Sequence, residues 1–135
     1  MEKKVSGLVI TGNAFIHKYL SAILERAGVS AICLDCGKKA LSMRGRDRFD
    51  LVFINEYLPD MSPLDLHGEL KAKWPRATYI MLLTGKRSIE KMLDKYGVDA
   101  ALVKPLKTED VLAVVDGALA LSLKNSYDWN PAQPL

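Results

Sequence analysis

The chain has 135 residues, 49% of them hydrophobic and 26% charged, which suits a single packed domain. No apolar run reaches the roughly 18 residues needed to cross a bilayer, so no membrane span is expected. The net charge of +3 includes five basic residues between Lys38 and Arg48. They carry no interleaved aromatic platform and no known recognition motif, so this segment reads as a solvated face and argues against nucleic-acid binding.

The N-terminus, MEKKVSGLVITG, runs from charges through a short apolar stretch into Gly12 and Asn13. That is not a cleavage site, so no signal peptide is expected and the cytoplasm is the expected location. SGLVIT (6–11) is the first strand candidate. Residues 14–27 then place Phe15, Ile16, Tyr19, Leu20, Ile23 and Leu24 at helical spacing, with Asn13 to cap the start and Gly28 to end it. VSAICL (29–34) predicts a second strand and GKKALSMR (37–44) a short helix. FDLVFI (49–54) is apolar almost throughout, as a central strand covered on both faces should be.

Ser62-Pro63-Leu64-Asp65 has the form of a capping box with proline at the first helical position, and the third helix runs to about Trp74 before Pro75. TYIMLLT (78–84) predicts the fourth strand, 87–96 a fourth helix ended by Gly97, and AALVK (100–104) a fifth strand stopped by Pro105. Thr108 caps a fifth helix over about 109–123, and a polar tail, 124–135, follows the domain of residues 1–123. Strand alternating with helix implies a parallel sheet with helices on both faces, and ligands in such folds sit at the carboxyl ends of the strands.

Cys33 and Cys36 form a C-x-x-C pair. The first lies in a predicted strand and not at the helix N-terminus that a redox pair uses, and His17 and His67 stand alone as further metal ligands. Two inert thiols and no metal are expected.

The segments LVITGNAFIHKYL, DLVFINEYLPDMSPLDL, IMLLTG and ALVKPLKTEDVL, in this order and spacing, resemble the receiver domain of bacterial two-component response regulators over about residues 5–123. The resemblance implies a flavodoxin-like, five-stranded parallel sheet in the order 2-1-3-4-5. It also implies a site in which two acidic residues after strand one and an aspartate after strand three hold Mg²⁺, and the aspartate accepts a phosphoryl group. A Thr or Ser after strand four and a Lys after strand five bind the phosphoryl oxygens, and an aromatic residue in strand five swings inward on activation.

Carried onto this chain, the acidic pair falls on Thr11 and Gly12 and the acceptor on Asn55. The hydroxyl is retained as Thr84 and the lysine as Lys104, followed by Pro105, which in the family sits on a cis bond. The switching aromatic falls on Ala101, and the glycine that usually follows the LP-x-M loop is Pro63. An amide is a very poor nucleophile, and a hard cation wants carboxylate oxygens, so neither phosphotransfer nor Mg²⁺ binding is expected here.

Asp50 cannot substitute, because at strand rise it lies about 16 Å from Asn55. Glu56 and Asp60, in the adjoining loop, are the acids a relocated acceptor would use. Lys104 is expected to donate to the Asn55 side-chain oxygen or to loop carbonyls, which would lock the domain. A flavodoxin-like reading sets Val9 to Ala14 against a flavin-phosphate loop, with Tyr57 and Tyr96 as stacking rings. Two of the three hydroxyl positions are apolar, so no cofactor is expected.

The reading that follows is a non-enzymatic, phosphorylation-independent protein-binding module. Receivers meet partners, or a second copy, through the fourth helix, fifth strand and fifth helix. On the fifth helix, Val111, Leu112, Val115, Ala118, Leu119 and Ser122 form the core stripe. Val114, Leu121 and Leu123 fall off it, as candidates for a partner surface or for cover by Tyr127 or Trp129 of the tail.

Overall fold

The computed structural model describes residues 5–44, 48–86 and 89–126, with the backbone alone over 121–126. Five strands, β1 (Val5–Ile10), β2 (Val29–Leu34), β3 (Leu51–Asn55), β4 (Thr78–Leu83) and β5 (Ala100–Val103), alternate with helices α1 (Ala14–Arg26), α2 (Gly37–Leu41), α3 (Pro63–Lys73) and α4 (Thr108–Ser126). A π-helical segment, Lys91–Lys95, stands between β4 and β5. The strands form one sheet in the order β2-β1-β3-β4-β5, parallel at every pairing. This is the expected topology.

Residues that alternate along the strands separate into two apolar layers. Leu8, Ile10, Val52, Ile54, Tyr79, Met81 and Leu83 face α2, α3 and the π-helical segment. Val9, Leu51, Phe53, Ile80, Leu82 and Leu102 face α1 and α4. All five residues of β3 are buried because both faces are covered, whereas the edge strand β2 leaves Ser30, Ile32 and Cys33 exposed. Cys33 and Cys36 are free thiols, the first exposed and the second half-buried.

The helix starts follow local chemistry. Asn13 Oδ1 accepts the Ile16 N–H at 3.1 Å and opens α1. Ser62 Oγ takes the Asp65 N–H at a long 3.5 Å, with Pro63 at the first position of α3. Gly28 and Gly97 take positive φ, 81° and 69°, where α1 and the π-helical segment end.

Three expectations need correction. The fourth helix is wound as a π-helix, closed by the Tyr96 N–H donating to Lys91 O five residues back. α2 stops at Leu41 instead of residue 44. Thr108 is the first residue of α4 and not its cap, and its hydroxyl meets the Tyr19 hydroxyl of α1 at 3.2 Å.

Candidate functional site

Strand order reverses at β1, whose neighbours are β2 and β3, so the crevice of this fold opens at the carboxyl ends of β1 and β3. Register brings the polar residues there together. Ile10 pairs with Ile54, which sets Thr11 level with Asn55. Leu83 pairs with Val103, which sets Thr84 beside Lys104.

A chain of hydrogen bonds crosses this end of the sheet. Lys104 Nζ donates to Asn55 Oδ1 at 2.6 Å. Asn55 Nδ2 donates to Thr11 Oγ1 at 2.9 Å, and Thr11 Oγ1 also accepts the Asn13 N–H at 3.1 Å. Thr11 is fully buried and Asn55 is 5% exposed, so water does little to satisfy these groups and their partners matter. Of the two acceptors foreseen for the Lys104 ammonium, the Asn55 oxygen is the one engaged. Burial pushes the Lys104 pKa below its ordinary value, and the nearby Glu56 carboxylate partly offsets this. The Lys104–Pro105 peptide is cis.

The remaining predicted site residues lie around this chain. Thr84 is exposed, and its backbone N–H donates to Glu56 Oε2 at 2.7 Å. Gly12 is exposed, and a Cβ there would meet Pro59 and the Asp35 carbonyl at 3.6 Å, an ordinary contact. Ala101 is half-buried against the α2–α3 layer. Tyr57 is 68% exposed. Tyr96 is half-buried, with the Lys91 and Lys95 ammonium groups 6.0 and 5.7 Å from its ring centre.

Asp60 has a role that differs from the one considered for it. Its Oδ1 accepts the Gly37 N–H at 2.9 Å and its Oδ2 accepts the Lys38 N–H at 2.8 Å. It therefore caps α2 from the β3–α3 loop, because Cys36 at the cap position makes no side-chain bond. These two backbone donors hold the Asp60 carboxyl below the usual carboxylate range. Met61 seals the same join, since a Cβ on Gly37 would run into Met61 Sδ.

A Mg²⁺ ion does not fit this donor set. The Asn55 oxygen is taken by an ammonium, Thr11 Oγ1 already accepts two bonds, and the Glu56 and Asp60 carboxylates are directed at backbone N–H groups of Thr84, Gly37 and Lys38. Among the described residues no cluster of three His, Cys, Asp or Glu side chains is placed to hold a metal.

On the partner face, Val114 is half-buried and packs against the α1–α4 layer, as Leu112 and Leu119 do. It therefore belongs to the core edge and not to a free stripe. The side chains of Leu121 and Leu123, and the tail with Tyr127 and Trp129, lie outside the described residues.

A parallel sheet in this order, with polar side chains gathered at the ends of β1, β3 and β5, defines a doubly wound α/β domain of the flavodoxin-like class. The family model for the response regulator receiver domain matches residues 8–116, and the chain belongs to that family. It is 33% identical over 97 residues to the aerobic respiration control sensor protein ArcB of Escherichia coli, a match covering 70% of this chain and 12% of that protein. The chain thus corresponds to a small part of that relative.

Two solved structures share the fold. The chemotaxis response regulator CheY4 of Vibrio cholerae superposes with a TM-score of 0.77 at 22% identity, over 86% of this chain and 99% of that one. The receiver domain of an HD domain-containing protein from Pseudomonas fluorescens does so with a TM-score of 0.80 at 20% identity, over 95% and 94%. Receiver domains are signal-transduction modules that interact with other proteins such as kinases and effectors. Among the described residues no helix is long and apolar enough to cross a membrane.

Proposed function

We propose that this receiver domain acts as a phosphorylation-independent protein-interaction module, with Asn55 at the phosphoacceptor position and Thr11 and Gly12 at the acidic pair. The observation that carries this reading is the 2.6 Å bond from Lys104 Nζ to Asn55 Oδ1, continued at 2.9 Å to Thr11. It supplies permanently, without metal or phosphate, the strand-end linkage that the family makes conditionally. A buried amide neither attacks a phosphoryl donor nor neutralises a hard cation. The engagement of Glu56 and Asp60 with backbone N–H groups also argues against a relocated acceptor. On this reading the domain is not an enzyme, needs no cofactor and works in the cytoplasm. It binds a protein partner or a second copy through the π-helical segment, β5 and α4.

The test is a backbone NMR titration of the domain with beryllofluoride and Mg²⁺. Spectra that stay unchanged around Asn55, Thr84 and Lys104 are expected. Saturable shifts at those residues would overturn the proposal.

A further inference from the structure

His67 lies in the middle of α3 and is 3% exposed. Its ring stands edge-to-face against Tyr79 of β4, with centroids 5.1 Å apart. Leu66 and Leu70 beside it belong to the apolar layer beneath. His67 Nε2 is buried and has no hydrogen-bond partner among the described residues. The Tyr79 hydroxyl is directed elsewhere, donating to Trp74 O at 2.8 Å.

A neutral imidazole needs only one donor satisfied, whereas an imidazolium must donate from both nitrogens. Among the described residues no acceptor is placed to take a second proton at Nε2. Lys71, one turn further along α3, repels a charged ring, and Asp99, just before β5, attracts it. The Asp99 carboxylate is already bonded to the Tyr79 N–H at 2.8 Å. Lys71 and Asp99 are the charged groups that act on the ring, and its ring partner Tyr79 belongs to the apolar layer that also holds Ala40 of α2 and Val52 and Ile54 of β3. Burial and Lys71 together outweigh Asp99 and hold the His67 pKa below its ordinary value.

We propose that His67 makes the seat of α3 on β4 proton-sensitive, so that acidification loosens α3 and the loop leading into it, which carries Glu56 and Asp60. The sign follows from linkage. The unfolded or opened chain binds the proton more readily than the packed one. Stability is therefore complete above the opened-state value near 6.5 and is lost as pH falls from there toward the folded value. The helix that responds begins at Pro63, after its cap Ser62, at the end of the loop that caps α2.

The test is amide hydrogen exchange of the full chain at a series of pH values from about 7.5 down to 5, corrected for intrinsic rates, together with an NMR titration of the His67 ring protons. Below about pH 6.5 the opening constants of the Leu66, His67 and Leu70 amides should rise, by up to about tenfold per pH unit for one proton taken up on opening. His67→Phe, which keeps an aromatic ring, should flatten that slope, and His67→Gln serves the same purpose should the phenylalanine variant not fold. Three results would overturn the proposal: α3 opening constants independent of pH in the wild type, the same slope in the variant, or a His67 ring titrating at or above about 6.5.

Discussion

Replacing Lys104 by methionine isolates the bond on which the proposed function rests. The substitution keeps an unbranched stem of similar length, with a thioether sulfur in place of Cδ, and removes the ammonium. Asn55 Oδ1, in a side chain 5% exposed, then loses its donor at 2.6 Å. Leaving a buried carbonyl oxygen bare costs about 1–3 kcal/mol. Relief from burying a cation, the effect that depresses the Lys104 pKa, acts in the opposite direction. The net expectation is a loss of about 1–2 kcal/mol, or roughly 3–7 °C in Tm for a chain of this size. Urea denaturation of wild type, Lys104→Met, Asn55→Leu and the double variant would give the coupling directly, since replacing both partners by apolar groups removes the orphan that the single change creates. A Lys104→Met protein as stable as wild type, or a coupling indistinguishable from zero, would refute the reasoning.

Asn55→Asp alone should not restore a beryllofluoride response, because Thr11 and Gly12 supply no carboxylate. Adding Thr11→Asp and Gly12→Asp should restore Mg²⁺-dependent NMR shifts, and a side chain at residue 12 has room. Asp60→Asn should lower Tm at neutral pH by placing an amide N–H against the backbone donors of α2. Because the Asp60 pKa is depressed, the contribution is present above the unfolded value near 3.9 and lost as pH falls through the folded value, so wild type and variant should converge in thermal scans at low pH. Gly37→Ala should destabilise by about 1–3 kcal/mol through overpacking, and Met61→Ala in the same chain should recover part of that loss in calorimetry, since Met61 is what the new methyl group meets.

The sheet was legible because each central strand is a short apolar run flanked by turn residues, and β2 falls on the very residues predicted. The site was legible in part for the same reason: residues just past parallel strands converge, and the Lys104–Asn55 contact needs only that geometry. The π-helical winding was not. Ile89, Met92, Leu93 and Tyr96 suit an ordinary helix equally well, and the difference lies in backbone bonds that reach a residue further, as from the Tyr96 N–H to Lys91 O. The capping role of Asp60 was not legible, because its target, the start of α2, is brought near only by tertiary packing.

Two further residues carried a signal that was available. His67 sits between Leu66 and Leu70 on the face of α3 that meets the sheet, a position that calls for burial. Val114 is three residues from Val111 and four from Ala118, both buried in the core that α4 covers. That spacing places it at the margin of the apolar stripe and not off it.

The relay from Lys104 through Asn55 to Thr11 has a mechanical consequence. β5 and β1 lie three strand positions apart in the sheet, yet two side-chain bonds connect the end of one to the end of the other over the top of β4. A pull on α4 reaches β5 directly through the chain, and this strap then shares the load with β3 and β1. Sliding β5 along its neighbour would have to break the strap as well as the ladder, so the carboxyl end of the sheet should bear tension as one piece.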